Sequence, residues 1–270
     1  MARREPVLTD EKMQAIIREL RLIDDAFFAV CFDKDTALTQ WMLHIILERD
    51  DLTVTEVKTQ YSIKGLGGHS AVLDALATDQ EGRLYNIEVQ KPDEGAIPRR
   101  ARFYGGLIDS AFLKKGQQYK ELCETYVIFI TENDILGDNL PAYHIDRFIC
   151  ENGKPFDDGL HIIYVNGAHI DRTPLGQLMH DFMCSDPHDM HYAPLSDKTS
   201  YFKSEKEGQH MSQLWNEYVS YYKEQLAEAK AQAVKEKNQI ALRLIQKGFT
   251  IEESAETTGL SPEEVRKLAQ

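Results

Sequence analysis

Cysteine is scarce in this sequence, and the few cysteines that occur are far apart. There are four in 270 residues, with no C-x-x-C pair among them. A disulfide framework and a zinc knuckle both need closely and regularly spaced cysteines, so the sequence favours neither. The four thiols are expected to be reduced core residues, and stability should come from an ordinary hydrophobic core.

Long apolar runs and a positive net charge are also missing. The longest apolar stretches, such as 126–130, are far too short to cross a bilayer, and MARREPVLTDEK lacks the apolar segment of a secretory signal. We therefore expect a cytoplasmic protein with no membrane partner. The formal net charge of -13 opposes non-specific adhesion to nucleic acid, because an acidic surface repels a polyanion except where basic residues are concentrated.

One such concentration of basic residues lies in the first half of the chain. Between Arg99 and Lys120 there are six basic residues and one acid, a local net charge of +5. The cluster is either a solvated helix face or a surface that contacts a phosphate backbone. The candidates for contact with nucleic acid are Arg99, Arg100 and Arg102.

The pattern of apolar residues predicts an α/β domain over residues 1–195. The predicted elements are, in order, a helix at 36–47, strands at 53–63, 71–78 and 84–90, a helix from about 98 to 115, and strands at 125–132 and 161–167. The core order is therefore α-β-β-β-α-β. The segment between the last two strands is rich in Gly, Asn and Asp and is expected to form loops.

The end of the chain has a different, helical character. From about Ser212 the sequence is rich in Ala, Lys, Glu and Gln and has no Gly or Pro before Gly248, which predicts a long helix in a linker over 196–247. Its imperfect apolar seam is consistent with a coiled-coil homodimer. The residues of this seam are Leu214, Tyr218, Tyr221 and Gln225.

A small helical tail is predicted over residues 248–270. Thr250 and Glu253 have the spacing of a capping box, as do Ser261 and Glu264, so two short helices should resemble a helix-turn-helix. The second helix mixes acidic with basic residues and suits DNA poorly. A helical cap or dimerisation element is favoured, with weak DNA binding as the alternative.

The segment 71–90 predicts a hairpin that brings two carboxylates together. A three-residue loop at 80–82, with Gly82 in the left-handed conformation, places Asp74 opposite Glu88. Opposed residues have Cβ atoms about 4.5–5.5 Å apart, close enough for two carboxylates to hold one divalent cation or, without it, to repel. The other face is suited to packing, with Leu73, Ala75, Ala77, Tyr85, Ile87 and Val89.

Hard carboxylate oxygens favour Mg²⁺ or Mn²⁺, and such an ion assists the cleavage of phosphate esters. The alternative interpretation is a solvated polar face on a hairpin at the edge of the sheet. Glu48 is either a third carboxylate of the site or, more simply, a surface charge, and Asp25 is interpreted as a helix cap. The nine histidines show no compact ligand spacing, which predicts scattered surface or core roles.

Asp74, followed by Glu88-Val89-Gln90 within the α-β-β-β-α-β order, resembles the PD-(D/E)XK nuclease superfamily. LDALATDQEGRLYNIEVQ followed by RRARFYGGLIDSAFLKKGQQY is similar to the Rpn family of recombination-promoting nucleases, also described as PD-(D/E)XK nuclease family transposases. The similarity covers roughly Asp25 to Gly167 and the tail. It implies a restriction-endonuclease-like fold and a metal-dependent DNA endonuclease associated with recombination or transposition. Asp74 and Glu88 would be metal ligands, with Gln90 in the third active-site position.

Gln90 departs from the superfamily pattern, which usually has Lys at this position. Gln can orient a water molecule but brings no positive charge to the transition state. Lys91 should face away by strand alternation, so Arg99 or Arg102 would have to supply the cation. Two alternatives stay open: a non-catalytic DNA-binding or oligomerising protein that kept the fold, and an RNase with the same site chemistry.

Overall fold

The structure is a computed structural model of the 270-residue chain. It describes residues 15, 17–64, 70–91, 93–204, 237–238, 240–245, 249–259 and 261–268. The chain divides into two compact units, residues 1–210 and 211–270.

The first unit combines helices with a single six-stranded sheet in its described part. The helices are α1 (Asp25–Phe32), α2 (Thr36–Leu47), α3 (Pro98–Phe112), α4 (Pro174–Met183) and α5 (Ala193–Lys203). The strands are β1 (Val54–Ile63), β2 (Ala71–Asp79), β3 (Leu84–Gln90), β4 (Thr125–Thr131), β5 (Ala142–Ile145) and β6 (Leu160–Asn166). The predicted order α-β-β-β-α-β is present from α2 to β4.

The sheet has the strand order β1-β2-β3-β4-β6-β5. Strands β1, β2 and β3 pair antiparallel, β3, β4 and β6 pair parallel, and β5 pairs antiparallel with β6. The segment that contains β5 was expected to form loops only. The four residues of β5 are too few to show an alternating pattern, so they become a strand only through pairing with β6.

The hairpin between β2 and β3 has the predicted register. Ala75 pairs with Ile87 and Ala77 with Tyr85, and Gly82 has a φ of +79°, the left-handed conformation that the three-residue loop needs. The buried carboxylate of Asp79 accepts hydrogen bonds from Arg83 Nε at 2.6 Å and Tyr85 OH at 2.9 Å.

Both faces of the hairpin are covered, so the alternative of a solvated polar face at a sheet edge is wrong. Strand β2 lies between β1 and β3, and helix α1 packs against β1, β2 and β3. On the other face, α3 joins a core cluster that includes Leu76, Leu84, Tyr104, Ile108, Val127 and Phe129. The polar residues on this face are therefore buried beneath α3.

The cysteines match the expectation of core residues only in part. Cys31 is buried in α1, Cys123 and Cys184 are half-buried, and Cys150 is exposed; all four are free thiols. Cys150 lies in the loop segment between β5 and β6.

In the second unit the described residues include helical residues 240–245, α6 (Ile251–Thr258) and α7 (Pro262–Leu268). The Thr250 N–H donates to Glu253 Oε2 at 2.8 Å, and the Glu253 N–H donates to Thr250 Oγ1 at 3.2 Å. Gly259, with a φ of +67°, ends α6. The predicted coiled-coil seam at Leu214, Tyr218, Tyr221 and Gln225 lies outside the described residues.

Helix α5 spans residue 195, where the first of the three predicted segments ends. The division of the chain into segments at 195 and 247 stays a prediction. None of the described helices is both long enough and apolar enough to cross a bilayer.

Candidate active site

Asp74 of β2 and Glu88 of β3 lie together where the regular backbone pairing of these two strands ends. The last regular pair is Ala75 with Ile87. At the next position the Val89 N–H donates to Asp74 Oδ2 at 2.9 Å, so a side-chain carboxylate takes the place of a backbone acceptor. On the other side of Asp74, Gln60 of β1 has a φ of +49°. The local break in the sheet holds the Asp74 carboxylate beside the backbone of β3.

The two carboxylates are buried and affect each other's ionisation. Asp74 is 7% exposed and Glu88 is 0% exposed. Burial is the main cause that raises the pKa of Asp74 to about 7. Burial, followed by the negative charge of Asp74, raises the pKa of Glu88 well above its usual range. At neutral pH the pair therefore carries two full charges only if a cation compensates them.

Arg100 of α3 is the cation that contacts the carboxylate pair, through Glu88. Its Nη2 lies 3.3 Å from Glu88 Oε2, and its Nη1 donates to Gln90 Oε1 at 3.2 Å and to Gly95 O at 2.6 Å. The Nε donates to Tyr104 OH at 2.7 Å. The guanidinium also lies over the ring of Tyr104, 5.0 Å from its centroid. These contacts fix Arg100 in one position between β3 and α3.

The expectation that Arg99 or Arg102 would supply this cation is wrong. Both residues are exposed on α3. Arg100 shares a helix face with the buried Tyr104 and Ile108, because residues four apart lie above one another on a helix. That spacing was visible in the sequence and is the signal that could have identified Arg100. Lys91 contacts Asp24 rather than the carboxylate pair.

Gln90 ends β3, and the backbone at Gly95 approaches it closely. A Cβ added at Gly95 would overlap Gln90 Oε1. Gly95 lies in the short 3-10 helix Asp93–Ala96, just before α3. Position 95 therefore needs a glycine if Gln90 is to keep its contact with Arg100.

The carboxylate pair fits a divalent cation. Glu88 Oε1 is buried and has no hydrogen-bond partner in the part of the chain that the structure describes. An unpaired buried carboxylate oxygen is costly, and a hard cation is the ligand that satisfies it best. Asp25 adds negative charge nearby, since its charge contributes to the raised pKa of Asp74.

The structure also places the remaining candidate acids. Asp25 is the first residue of α1, with Asp24 at the N-cap position, so Asp25 does not cap the helix as expected. Glu48 is exposed at the C-terminal end of α2.

An exposed basic surface adjoins Arg100. Arg99 and Arg102 are exposed on α3 and, within the described residues, form no ion pair. Phe103, which follows Arg102 on α3, is 43% exposed, and Ile97, just before the helix, is 46% exposed. Positive charge next to an exposed aromatic ring is a combination that suits a nucleic acid.

Comparison with known proteins identifies the family. A family model described as PD-(D/E)XK nuclease family transposase matches residues 26–174, more than half of the chain. No curated protein and no solved structure matches the chain. The matched segment runs from α1 to the first residue of α4, and it contains the whole sheet together with Asp74, Glu88, Gln90 and Arg100.

Proposed function

Because this chain belongs to the PD-(D/E)XK nuclease family transposases, we propose that it is a DNA endonuclease that hydrolyses phosphodiester bonds in recombination or transposition. Nucleases of this superfamily generally use divalent metal ions, and Asp74 and Glu88 are the proposed ligands of Mg²⁺ or Mn²⁺. The observation that carries the proposal is the buried pair of coupled carboxylates with an unpartnered oxygen at Glu88.

When bound, such an ion lowers the pKa of a water molecule and stabilises negative charge on a phosphate. The protein's own contribution is to hold its ligands in position. The Val89 N–H orients the Asp74 carboxylate, and Arg100 orients Glu88 through Oε2, which leaves Oε1 available. Neither carboxylate depends on a mobile loop, since each lies on a strand within the sheet.

Gln90 and Arg100 together replace the lysine that is usual at the third position. Gln90 Oε1 accepts from Arg100, so its amide NH₂ group is the part available to donate to an attacking water or a phosphate oxygen. Arg100 brings the positive charge that an amide lacks. Charge stabilisation in the transition state is thereby shared between two residues instead of one.

The exposed arginines of α3 are proposed to hold the DNA backbone. Arg99 and Arg102 are free to contact phosphates, because within the described residues no acid pairs with them. Their local positive charge offsets the repulsion expected from a net charge of -13. Contacts of this kind give affinity and orientation without base specificity.

The test is nicking of supercoiled plasmid with Mg²⁺, with Mn²⁺ and with EDTA, using Asp74→Asn and Glu88→Gln. Both variants preserve side-chain shape and remove the negative charge. Glu48→Gln is the matched control, because Glu48 is an exposed acid at the end of α2. Metal-dependent nicking by the parent and by Glu48→Gln, but not by the two site variants, is the expected result.

Equal nicking by Asp74→Asn and the parent would remove Asp74 from the active site, and equal nicking by Glu88→Gln would remove Glu88. DNA binding without cleavage by the parent in either metal would indicate the non-catalytic alternative. A parallel assay on RNA identifies an RNase, which would cleave RNA and leave the plasmid intact.

A further inference from the structure

A second group of metal-ligating side chains lies where α4 ends and the chain turns towards α5. The group consists of His180, Asp181 and His191, and it shares no residue with the carboxylate pair. One ligand atom from each of the three residues lies within 4.8 Å of the other two. The sequence did not suggest this group, since ten residues separate Asp181 from His191.

The buried carboxylate of Asp181 is what brings the group together. Asp181 is 0% exposed. Its Oδ1 accepts from the His191 N–H and its Oδ2 from the Tyr192 N–H, each at 2.8 Å. These two bonds fold the segment 184–192 back onto the last turn of α4. They account for the position of the backbone at His191, but they do not require its imidazole to lie beside that of His180.

The two imidazoles nevertheless lie side by side. Their ring centroids are 4.5 Å apart with an interplanar angle of 54°, and His180 Nδ1 is 3.1 Å from Asp181 Oδ1. Two ligands of one zinc ion, each bound at about 2.0–2.2 Å, are separated by roughly this distance when the angle at the metal is near 90–100°. The spacing therefore suits a shared cation as well as a hydrogen bond.

The charge around the group favours a cation. Residues 173–197 contain four aspartates and no Lys, Arg or Glu. Three of these aspartates, Asp181, Asp186 and Asp189, act on the Cys184 thiol, whose pKa is raised mainly by burial and further by their negative charges. Three acids of this segment thus converge on the region around Cys184.

We propose that His180, Asp181 and His191 form a binding site for a borderline transition-metal ion, with Zn²⁺ as the ion of choice. Two imidazoles and one carboxylate suit Zn²⁺, whereas Mg²⁺ prefers a set of oxygen ligands. The metal joins the end of α4 to the segment that leads into α5. Three protein ligands leave one position of a tetrahedral ion for water.

The experiment is calorimetric titration of the full chain with Zn²⁺, repeated with His191→Ala and His180→Ala. His188→Ala is the matched control, because His188 is an exposed histidine of the same segment. The parent and His188→Ala should bind one equivalent of Zn²⁺ at this site with the same affinity, and His191→Ala and His180→Ala should bind it at least about 10-fold more weakly. Since His191 is exposed, its replacement should leave the fold intact, which circular dichroism verifies.

A second measurement assigns the ion to these residues. In proton NMR spectra, Co²⁺ should broaden the ring signals of His180 and His191 first, and the single-residue variants identify which signals these are. Absence of Zn²⁺ binding by the parent, or equal binding by the parent and His191→Ala, would overturn the proposal. An equal loss of Zn²⁺ affinity in His188→Ala and His191→Ala would also overturn the proposal. Asp74→Asn should bind Zn²⁺ at this site as the parent does, whether or not the proposed nuclease activity exists.

Discussion

The guanidinium of Arg100 lies 3.3 Å from the carboxylate of Glu88, which is wholly buried in the sheet. Helix α3, which follows β3, thus adds a positive charge to the site that Asp74 of β2 and Glu88 of β3 form. Arg100 is itself held by Tyr104 and Gly95. It is therefore placed to act on Glu88 and Gln90 and is less available to DNA than its exposed neighbours.

Arg100 and Arg99 should affect nicking in different ways. Arg100→Ala should lower kcat by about 100-fold, because a charge close to the reacting phosphate is lost. Arg99→Ala should mainly raise KM and make it less sensitive to salt, because a phosphate contact is lost. Steady-state nicking kinetics at two salt concentrations separate the two effects. A loss of kcat in Arg99→Ala equal to that in Arg100→Ala would contradict the assignment.

Gly95→Ala should lower nicking without unfolding the protein. The added methyl group overlaps Gln90 Oε1, so Gln90 must move and lose its contact with Arg100. Gly106→Ala is the control, because a Cβ at this exposed position of α3 meets nothing within 4 Å. That control should keep its activity and gain about 0.5–1 kcal/mol of stability from better helix propensity. Full activity in Gly95→Ala would show that the position of Gln90 is unimportant.

Without divalent metal, the free energy of unfolding should fall as pH rises from about 4 to 7. The pKa of Asp74 in the folded protein is about 7, above its value of about 3.9 in an unfolded chain. In this window the folded state binds more protons than the unfolded state, so stability decreases with pH, by at most about 1.4 kcal/mol per pH unit for one group.

Urea unfolding at a series of pH values in EDTA measures this slope. Asp74→Asn should make the slope shallower, because only Glu88 then titrates with a raised pKa. Saturating Mg²⁺ should restore stability at pH 7 and above by binding the folded state only. The same slope in the parent and in Asp74→Asn would show that Asp74 is not the titrating group.

Asp79→Ala should destabilise the hairpin by about 3 kcal/mol, because the buried Arg83 Nε and Tyr85 OH lose their acceptor and only an exposed carboxylate still pairs with Arg83. The side chains of Asp79 and Arg83 are 0% and 10% exposed, and their ion pair measures 2.6 Å. Glu81→Ala is the control: Glu81 also pairs with Arg83, at 3.2 Å, but its side chain is 57% exposed. Glu81→Ala should lower the free energy of unfolding by less than about 1 kcal/mol. Urea unfolding gives both values, and equal costs would be evidence against the buried network.

The hairpin could be predicted from sequence because its information is local. The glycine at 82 selects the loop, and the loop sets which residues of β2 and β3 are opposed. The register of Ala75 with Ile87 follows from these few residues. Burial of the carboxylate face did not follow, because alternation along a strand reveals two faces but not what covers them. The covering helix α3 comes later in the chain.

The sequence by itself determined the order of the core elements, the register of the hairpin and the proximity of Asp74 to Glu88, since the elements follow from their apolar periodicity and the hairpin from its turn at Gly82. Only the tertiary structure decided which arginine contacts Glu88 and that His180 meets His191. Both contacts join residues that are near in sequence, but they depend on how a helix or a loop packs onto the neighbouring element. Packing of that kind is set by the shape of the whole core, and local spacing carries little information about it.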